Sequence, residues 1–291
     1  RWVLLGHVRW TGGRDIRTRA REVCRPRQVH LDSQLVIDSL KDCPGRFIVT
    51  NDAVSAAGLL MTLDSNVAKE VPAQFVASNR TWVGMTGRAR VLAYSPERAA
   101  TLPQSVADLT NPIYKNKVGI APTNASFQTF VTALIENKGE AFTKKWLSDM
   151  KANGAKIYAK NSIIVEAIDK GEIDLGLVNH YYIWETSESL GRPVRADVSY
   201  FAPGDLGNLI NVSGAGIFTT SKKQAAAADL INYLTSATTQ NKFVLETHEY
   251  SLVAGAPAPE GVPALDQVGA PTVDLNSLVD NKQGFAFFDF G

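Results

Sequence analysis

Val118-Gly-Ile-Ala-Pro-Thr-Asn-Ala-Ser-Phe127 reads as a buried strand that breaks at a turn and restarts as a helix. Val118, Ile120 and Ala121 form the apolar run, and Thr123, Asn124 and Ser126 are the small polar residues that begin helices. Helical spacing of Phe127, Phe130, Val131, Leu134 and Ile135 predicts a helix over Ser126–Asn137. The same alternation continues on both sides. Strands are expected at Val91–Tyr94, Val118–Ala121, Lys156–Ala159, Leu175–Val178 and Gly214–Thr219. Further helices are expected at Glu140–Ala152, Ser162–Lys170 and Lys222–Thr235, the last with an Ala-rich centre of high helix propensity. Strands alternating with helices argue for an α/β architecture with largely parallel sheets. The Pro-, Gly- and Ala-rich stretch from Ala254 to Gly269 reads as a surface loop.

The chain has 291 residues, enough for two lobes of ordinary size. Its 45% hydrophobic and 20% charged residues are the balance of a globular protein. A net charge of +1 gives no reason to expect nucleic acid or an acidic membrane as partner. No apolar run approaches the ~18 residues of a membrane span. The chain opens on Arg1 rather than Met, as a processed or trimmed form does. Cys24 and Cys43 are too few for a disulfide scaffold, and either one bridge or two free thiols fits them. Arg9, Arg14, Arg17, Arg19, Arg21, Arg25 and Arg27 crowd a stretch without an apolar period, which reads as a solvated face.

Motifs that would announce an enzyme are absent: no GxSxG, P-loop, HExxH, paired CxxC or helix-opening GxGxxG occurs. The four histidines, His7, His30, His180 and His248, are not paired at metal-ligand spacing. Two segments carry chemistry instead. The turn at Thr123, Asn124 and Ser126 opens a helix whose unpaired N–H groups make an anion site, although an ordinary N-cap accounts for the same residues. In Leu175-Gly-Leu-Val-Asn-His-Tyr-Tyr-Ile-Trp184 a buried strand ends in polar and aromatic residues, where open α/β sheets bind ligands. Adjacent aromatics commonly serve packing. Their alternative use is that two phenol oxygens can hold a hard cation. A free phenol has a pKa near ~10, and a bound cation can deprotonate it outright. Fe(III) is the common metal acidic enough to do so at neutral pH.

Taken in order, Thr86-Gly-Arg-Ala-Arg-Val91, Leu102-Pro-Gln-Ser-Val-Ala-Asp-Leu109, Lys117-Val-Gly-Ile-Ala-Pro-Thr-Asn-Ala-Ser-Phe127 and Val178-Asn-His-Tyr-Tyr182 resemble the periplasmic ferric-ion-binding proteins of ABC iron importers. Gly171-Glu-Ile-Asp-Leu-Gly176 and His248-Glu-Tyr250 look like further landmarks of that family. The resemblance covers roughly Asn51 to the C-terminus and implies a two-lobed type II periplasmic binding protein. Each lobe would be a mixed α/β sheet flanked by helices, with a ligand cleft between them and hinged closure. Residues 1–91 and 212–258 would form lobe 1, and residues 92–211 and 259–291 lobe 2.

The resemblance also assigns roles. Tyr181 and Tyr182 would ligate Fe(III), and a synergistic phosphate or carbonate would sit at the helix start of Asn124, Ala125 and Ser126. Asn161 and Asn179 would be polar partners of that anion. Arg88 would help to hold it, or form a structural salt bridge. Some relatives place a third tyrosine at the position of Ser126, and its absence favours the anion-completed arrangement. From lobe 1, Asp52, beside the family's acidic position at Asn51, and His7 are the candidate metal ligands. The implied function is capture of Fe(III) outside the cytoplasm and delivery to the membrane permease of an ABC importer. The implied protein is a monomer, periplasmic or otherwise extracytoplasmic, with or without a lipid anchor, that binds no nucleic acid and catalyses nothing. Two other readings stay open: a same-fold binding protein for a phosphate-like oxyanion, thiamine or a polyamine, and an enzyme on the same fold.

Overall fold

Short apolar strands bounded by Gly and polar residues lie side by side in the computed structural model, which describes residues 47–48 and 52–273. Two compact units divide these residues, one reaching Gly87 and resuming over Val212–Val262, the other spanning Arg88–Asn211 and resuming at Pro263. In chain order the elements of the first unit begin with β1 (Phe47–Ile48) and α1 (Asp52–Ala56). Strand β2 (Trp82–Tyr94) then passes from the first unit into the second. The second unit contains β3 (Val118–Ile120), α2 (Ala125–Lys138), α3 (Glu140–Ala152), β4 (Lys156–Ile157) and α4 (Asn161–Lys170). It continues with β5 (Leu175–Asn179), α5 (Tyr182–Leu190) and β6 (Asp197–Ser199). Strand β7 (Ile210–Ile217) returns to the first unit, followed by α6 (Gln224–Leu234), α7 (Ala237–Thr247) and β8 (Tyr250–Ser251).

The sheet of the second unit is mixed. β3 lies between β4 and β5 and pairs in parallel with both. β5 pairs antiparallel with β2, in the register Arg90↔Asn179, Leu92↔Leu177 and Tyr94↔Leu175. β6 joins the same β2 residues from the other side, also antiparallel. The strand–helix alternation therefore predicts the parallel β4-β3-β5 core correctly but misses how much antiparallel pairing β2 brings. β2 is also far longer than the four residues expected, because Gly84, Thr86, Gly87, Arg88 and Arg90 break its apolar run while the ladder continues.

Alternation of side chains along each strand gives the sheet two distinct faces. Leu92, Val118, Ile120, Leu175 and Leu177 pack with Phe127, Phe130, Val131 and Leu134 of α2 and with Trp146, Leu147 and Met150 of α3. Trp146 meets Phe130 edge-on at 5.7 Å and donates its indole N–H to the Val106 carbonyl at 2.8 Å. Helix α4 covers the opposite face. It comes so close that a Cβ on Gly176 would lie 2.2 Å from Ile164 Cγ2, and one on Gly119 would lie 3.2 Å from the same atom. Those two glycines are what permits the approach. Asp169, near the C-terminal end of α4, accepts a two-pronged bond from Arg192 (3.0 and 2.7 Å) and the backbone N–H of Arg195 (2.8 Å). These bonds tie the segment after α5 to α4.

In the first unit β8 pairs antiparallel with β2 (Thr86↔Ser251) and β1 pairs antiparallel with β7 (Phe47↔Ile217). The buried amide of Gln240 on α7 donates to the carbonyls of Met85 and Leu234 and accepts from Ser251 Oγ. The expected surface loop over residues 254–269 contains only a 3-10 turn at Leu265–Gln267. Among the described residues no helix is long and apolar enough to cross a membrane.

Candidate functional site

Each strand of the parallel β4-β3-β5 core runs directly into a helix. Ile120 ends β3 and α2 begins at Ala125, Ile157 ends β4 and α4 begins at Asn161, and Asn179 ends β5 and α5 begins at Tyr182. Three helix N-termini therefore gather at the carboxyl edge of adjacent strands, and each leaves backbone N–H groups without helical partners. Only α2 has a side-chain cap, from Asn124, whose Oδ1 accepts from the Ser126 N–H at 3.0 Å. The residues preceding α4 and α5, Lys160 and Tyr181, make no capping bond through their side chains. The positive ends of these helices favour negative charge at this edge.

Tyr181 and Tyr182 stand at the start of α5 with only 5% and 7% of their surfaces exposed. Their rings stack, with centroids 4.4 Å apart and planes 29° from parallel, so the two phenols lie side by side. His180, between them and the strand, meets Tyr181 edge-on at 5.9 Å. Its Nδ1 accepts from the Ala89 N–H at 3.2 Å, and its backbone N–H donates to the Ala89 carbonyl at 3.0 Å. These bonds extend the β2–β5 ladder by one residue and fix where the tyrosines begin.

Arg90 is the residue of this region that the sequence reading does not single out. It is 1% exposed, and its guanidinium lies over Phe127 and Phe130 at 5.7 and 5.6 Å from the ring centroids. Burial holds its pKa down to about 10, partly offset by attraction to Tyr182 and Tyr181. Among the described residues neither Nη1 nor Nη2 has a hydrogen-bond partner. A buried, charged donor without an acceptor is costly, and such a group calls for a negatively charged companion. A signal for it exists in the sequence: Arg90, Leu92 and Tyr94 share strand parity, so a core-facing Leu92 puts Arg90 on the core side as well.

The remaining candidates lie on several elements. Asn179 pairs with Arg90 across β2 and β5 and so shares its sheet face; its Nδ2 donates to Ser126 Oγ at 3.3 Å, and its Oδ1 has no partner among the described residues. Asn161, the first residue of α4, is wholly buried, and among the described residues neither of its amide atoms is hydrogen-bonded. Asn124, Ala125 and Ser126 form the capped start of α2. Arg88 lies two residues before Arg90 on β2 and is half-buried. His7 lies outside the described residues. For Asp52 only the backbone is described, as the first residue of α1. Among the described residues no group of three or more His, Cys, Asp or Glu side chains converges to hold a metal.

Known proteins resemble this chain over most of its length. The family described as "Bacterial extracellular solute-binding protein" matches residues 50–273. The Fe(3+)-binding periplasmic protein of Serratia marcescens is 32% identical over 262 residues, covering 87% of this chain and 77% of that protein. The major ferric iron-binding protein of Neisseria meningitidis is 31% identical over 234 residues, covering 79% and 70%. Among solved structures, iron-bound HitA from Pseudomonas aeruginosa superposes with a TM-score of 0.83 at 25% identity, over 93% of this chain and 92% of that one. Apo ferric ion-binding protein A of Pasteurella haemolytica gives a TM-score of 0.80 at 26% identity, over 94% and 92%. The chain belongs to the bacterial extracellular solute-binding proteins, among those members known as periplasmic ferric-iron-binding proteins.

Proposed function

We propose that this protein captures Fe(III) outside the cytoplasm on Tyr181 and Tyr182, together with an oxyanion, and hands it to the membrane permease of an ABC importer. The observation that carries the reading is the stacked pair of buried phenols at the start of α5. A ferric ion is acidic enough to take both phenols as phenolates, and two phenolates supply two of its three charges. Coordination is then open for an oxyanion held by the helix starts at Ala125 and Asn161 and by Asn179 and Arg90. Arg88, on the same strand face as Arg90, would add a second positive charge. The named activities of the Serratia and Neisseria relatives support iron as cargo.

Phenolate bound to Fe(III) absorbs visible light, whereas an organic cargo would leave the protein colourless. The purified protein loaded with Fe(III) in phosphate is expected to be coloured. Tyr181→Phe and Tyr182→Phe each keep the ring and remove one oxygen. Either substitution is expected to weaken iron binding and shift the band, and the double variant to lose it with the fold intact by circular dichroism. A double variant that retains both the band and the affinity refutes the assignment.

A further inference from the structure

Asn153 and Gly154 form the one Asn-Gly pair in the sequence, and the fold requires both residues. Asn153 caps the C-terminal end of α3, and Gly154 follows it at a φ of 73°. The N–H of Gly154 donates to the Lys151 carbonyl at 2.9 Å, and that of Ala155 to the Met150 carbonyl at 3.0 Å. These are the paired bonds that close a helix on a left-handed residue. Such a φ suits glycine, and a Cβ there would also run into the Asn116 side chain. A different demand fixes Asn153. Its Nδ2 donates to the carbonyls of Leu109 at 3.1 Å and Asn111 at 3.0 Å, which fastens residues 109–111 to the end of α3. Its own carbonyl accepts from the Asn116 N–H at 2.9 Å. Asparagine is the shortest side chain that carries two N–H donors on one nitrogen.

The pair that this corner needs is also chemically labile, because asparagine is thermolabile and glycine presents no Cβ to hinder attack. The Gly154 nitrogen can attack Asn153 Cγ, forming a new N–C bond. The Cγ–Nδ2 bond then breaks and ammonia leaves. Water opens the resulting five-membered imide at either carbonyl, which yields aspartate or isoaspartate. In the folded chain the reaction is opposed three times over. Gly154 N–H is engaged with Lys151, and Nδ2, the leaving group, is held by two carbonyls. An Asn153 ψ of 3° also keeps the attacking nitrogen well out of the plane of the ring it must close. Once formed, the product sets carboxylate oxygen against the carbonyls of Leu109 and Asn111, acceptor to acceptor, so the fastening is lost. We propose that Asn153-Gly154 is a site of spontaneous deamidation that the native fold holds shut, and that reaction in an opened chain permanently loosens residues 109–111 from α3.

The test is to age the metal-free full chain in mildly alkaline buffer, folded and unfolded in guanidinium, and to follow Asn153 by peptide mapping and mass spectrometry. The unfolded chain is expected to convert Asn153 to aspartate and isoaspartate. The folded chain is expected to do so at least about tenfold more slowly, since chemistry on an opened state tracks its population. Asn153→Asp, which reproduces one product, should unfold at a lower guanidinium concentration than the unaltered protein. Asn153→Ala loses the same bonds without gaining a charge and should fall between the two. Equal rates in the folded and unfolded chains overturn the proposed protection. An unfolded chain that leaves Asn153 intact overturns the site itself. Asn153→Asp with the unaltered unfolding midpoint overturns the consequence, because the amide would then fasten nothing.

Discussion

Replacing Arg90 with Met is expected to make the protein more stable and less able to bind its anion. Met keeps much of the apolar stem and removes the charge. The cost of that charge follows from its burial, which lowers the guanidinium pKa well below its ordinary value, to about 10. At 1.36 kcal/mol per pKa unit this is a penalty of about 3 kcal/mol on the folded state. The sign is definite: below pH 10 arginine is protonated in both folded and unfolded chains, so the full penalty applies at neutral pH. It fades as pH rises from the folded value toward the unfolded one. Against it stand the contacts with Phe127 and Phe130, each worth about 0.5–1 kcal/mol. The difference leaves Arg90→Met more stable by about 1–2 kcal/mol, measurable by urea unfolding of the metal-free protein without added anion. Phosphate titration of the same variant should show binding weakened about 10- to 100-fold, the usual worth of a buried charge-assisted bond. A variant destabilised by 2 kcal/mol or more with phosphate binding unchanged refutes the reasoning, because it would assign the guanidinium to the fold.

Two further substitutions test the frame that holds the site. Gly176→Ala places a methyl 2.2 Å from Ile164 Cγ2 on a β-branched side chain that has little freedom to yield, and should cost about 1–3 kcal/mol in urea unfolding. Asp169 is held well below the ordinary carboxylate range by its bonds from Arg192, against the opposing effect of burial, with further help from Arg195. Its contribution is present above the unfolded pKa of ~4 and is lost as pH falls below it. Asp169→Asn should therefore lower stability by about 1–2 kcal/mol at pH 7, a figure reduced for the half-exposed Arg192, and flatten the loss of stability below pH 4.

Much of the site was legible because its elements announce themselves locally. The strand–turn–helix at Val118–Phe127 and the strand end at Leu175–Tyr182 are short apolar runs with sharp boundaries, and both fall where expected. Glu140–Ala152 matches its predicted bounds residue for residue, since Trp146, Leu147 and Met150 repeat cleanly on one face. Helices α5 and α7 were not read from sequence. Thr and Ser dilute the apolar period of α5, and α7 begins Ala-Thr-Thr-Gln-Asn before its few core residues. Their helicity comes from packing more than from propensity. Arg90 was passed over for a related reason: composition treats arginine as a solvent-facing residue, and only the pairing of β2 with β5 reveals which way it points.

The elements around the paired tyrosines follow one another along the chain without interruption, from Arg88 on β2 to the first turn of α5. No excursion into the other unit separates the capped start of α2, the bare start of α4 and the phenols. In genetic terms the stretch is a single cassette of roughly a hundred codons. A recombination event with its endpoints in β2 and just beyond α5 would transfer strands, helix starts and tyrosines together, with their hydrogen-bond polarity intact. Ligand preference in such a lineage can then be exchanged as a block, while the sequence on either side drifts under the ordinary demands of its own packing.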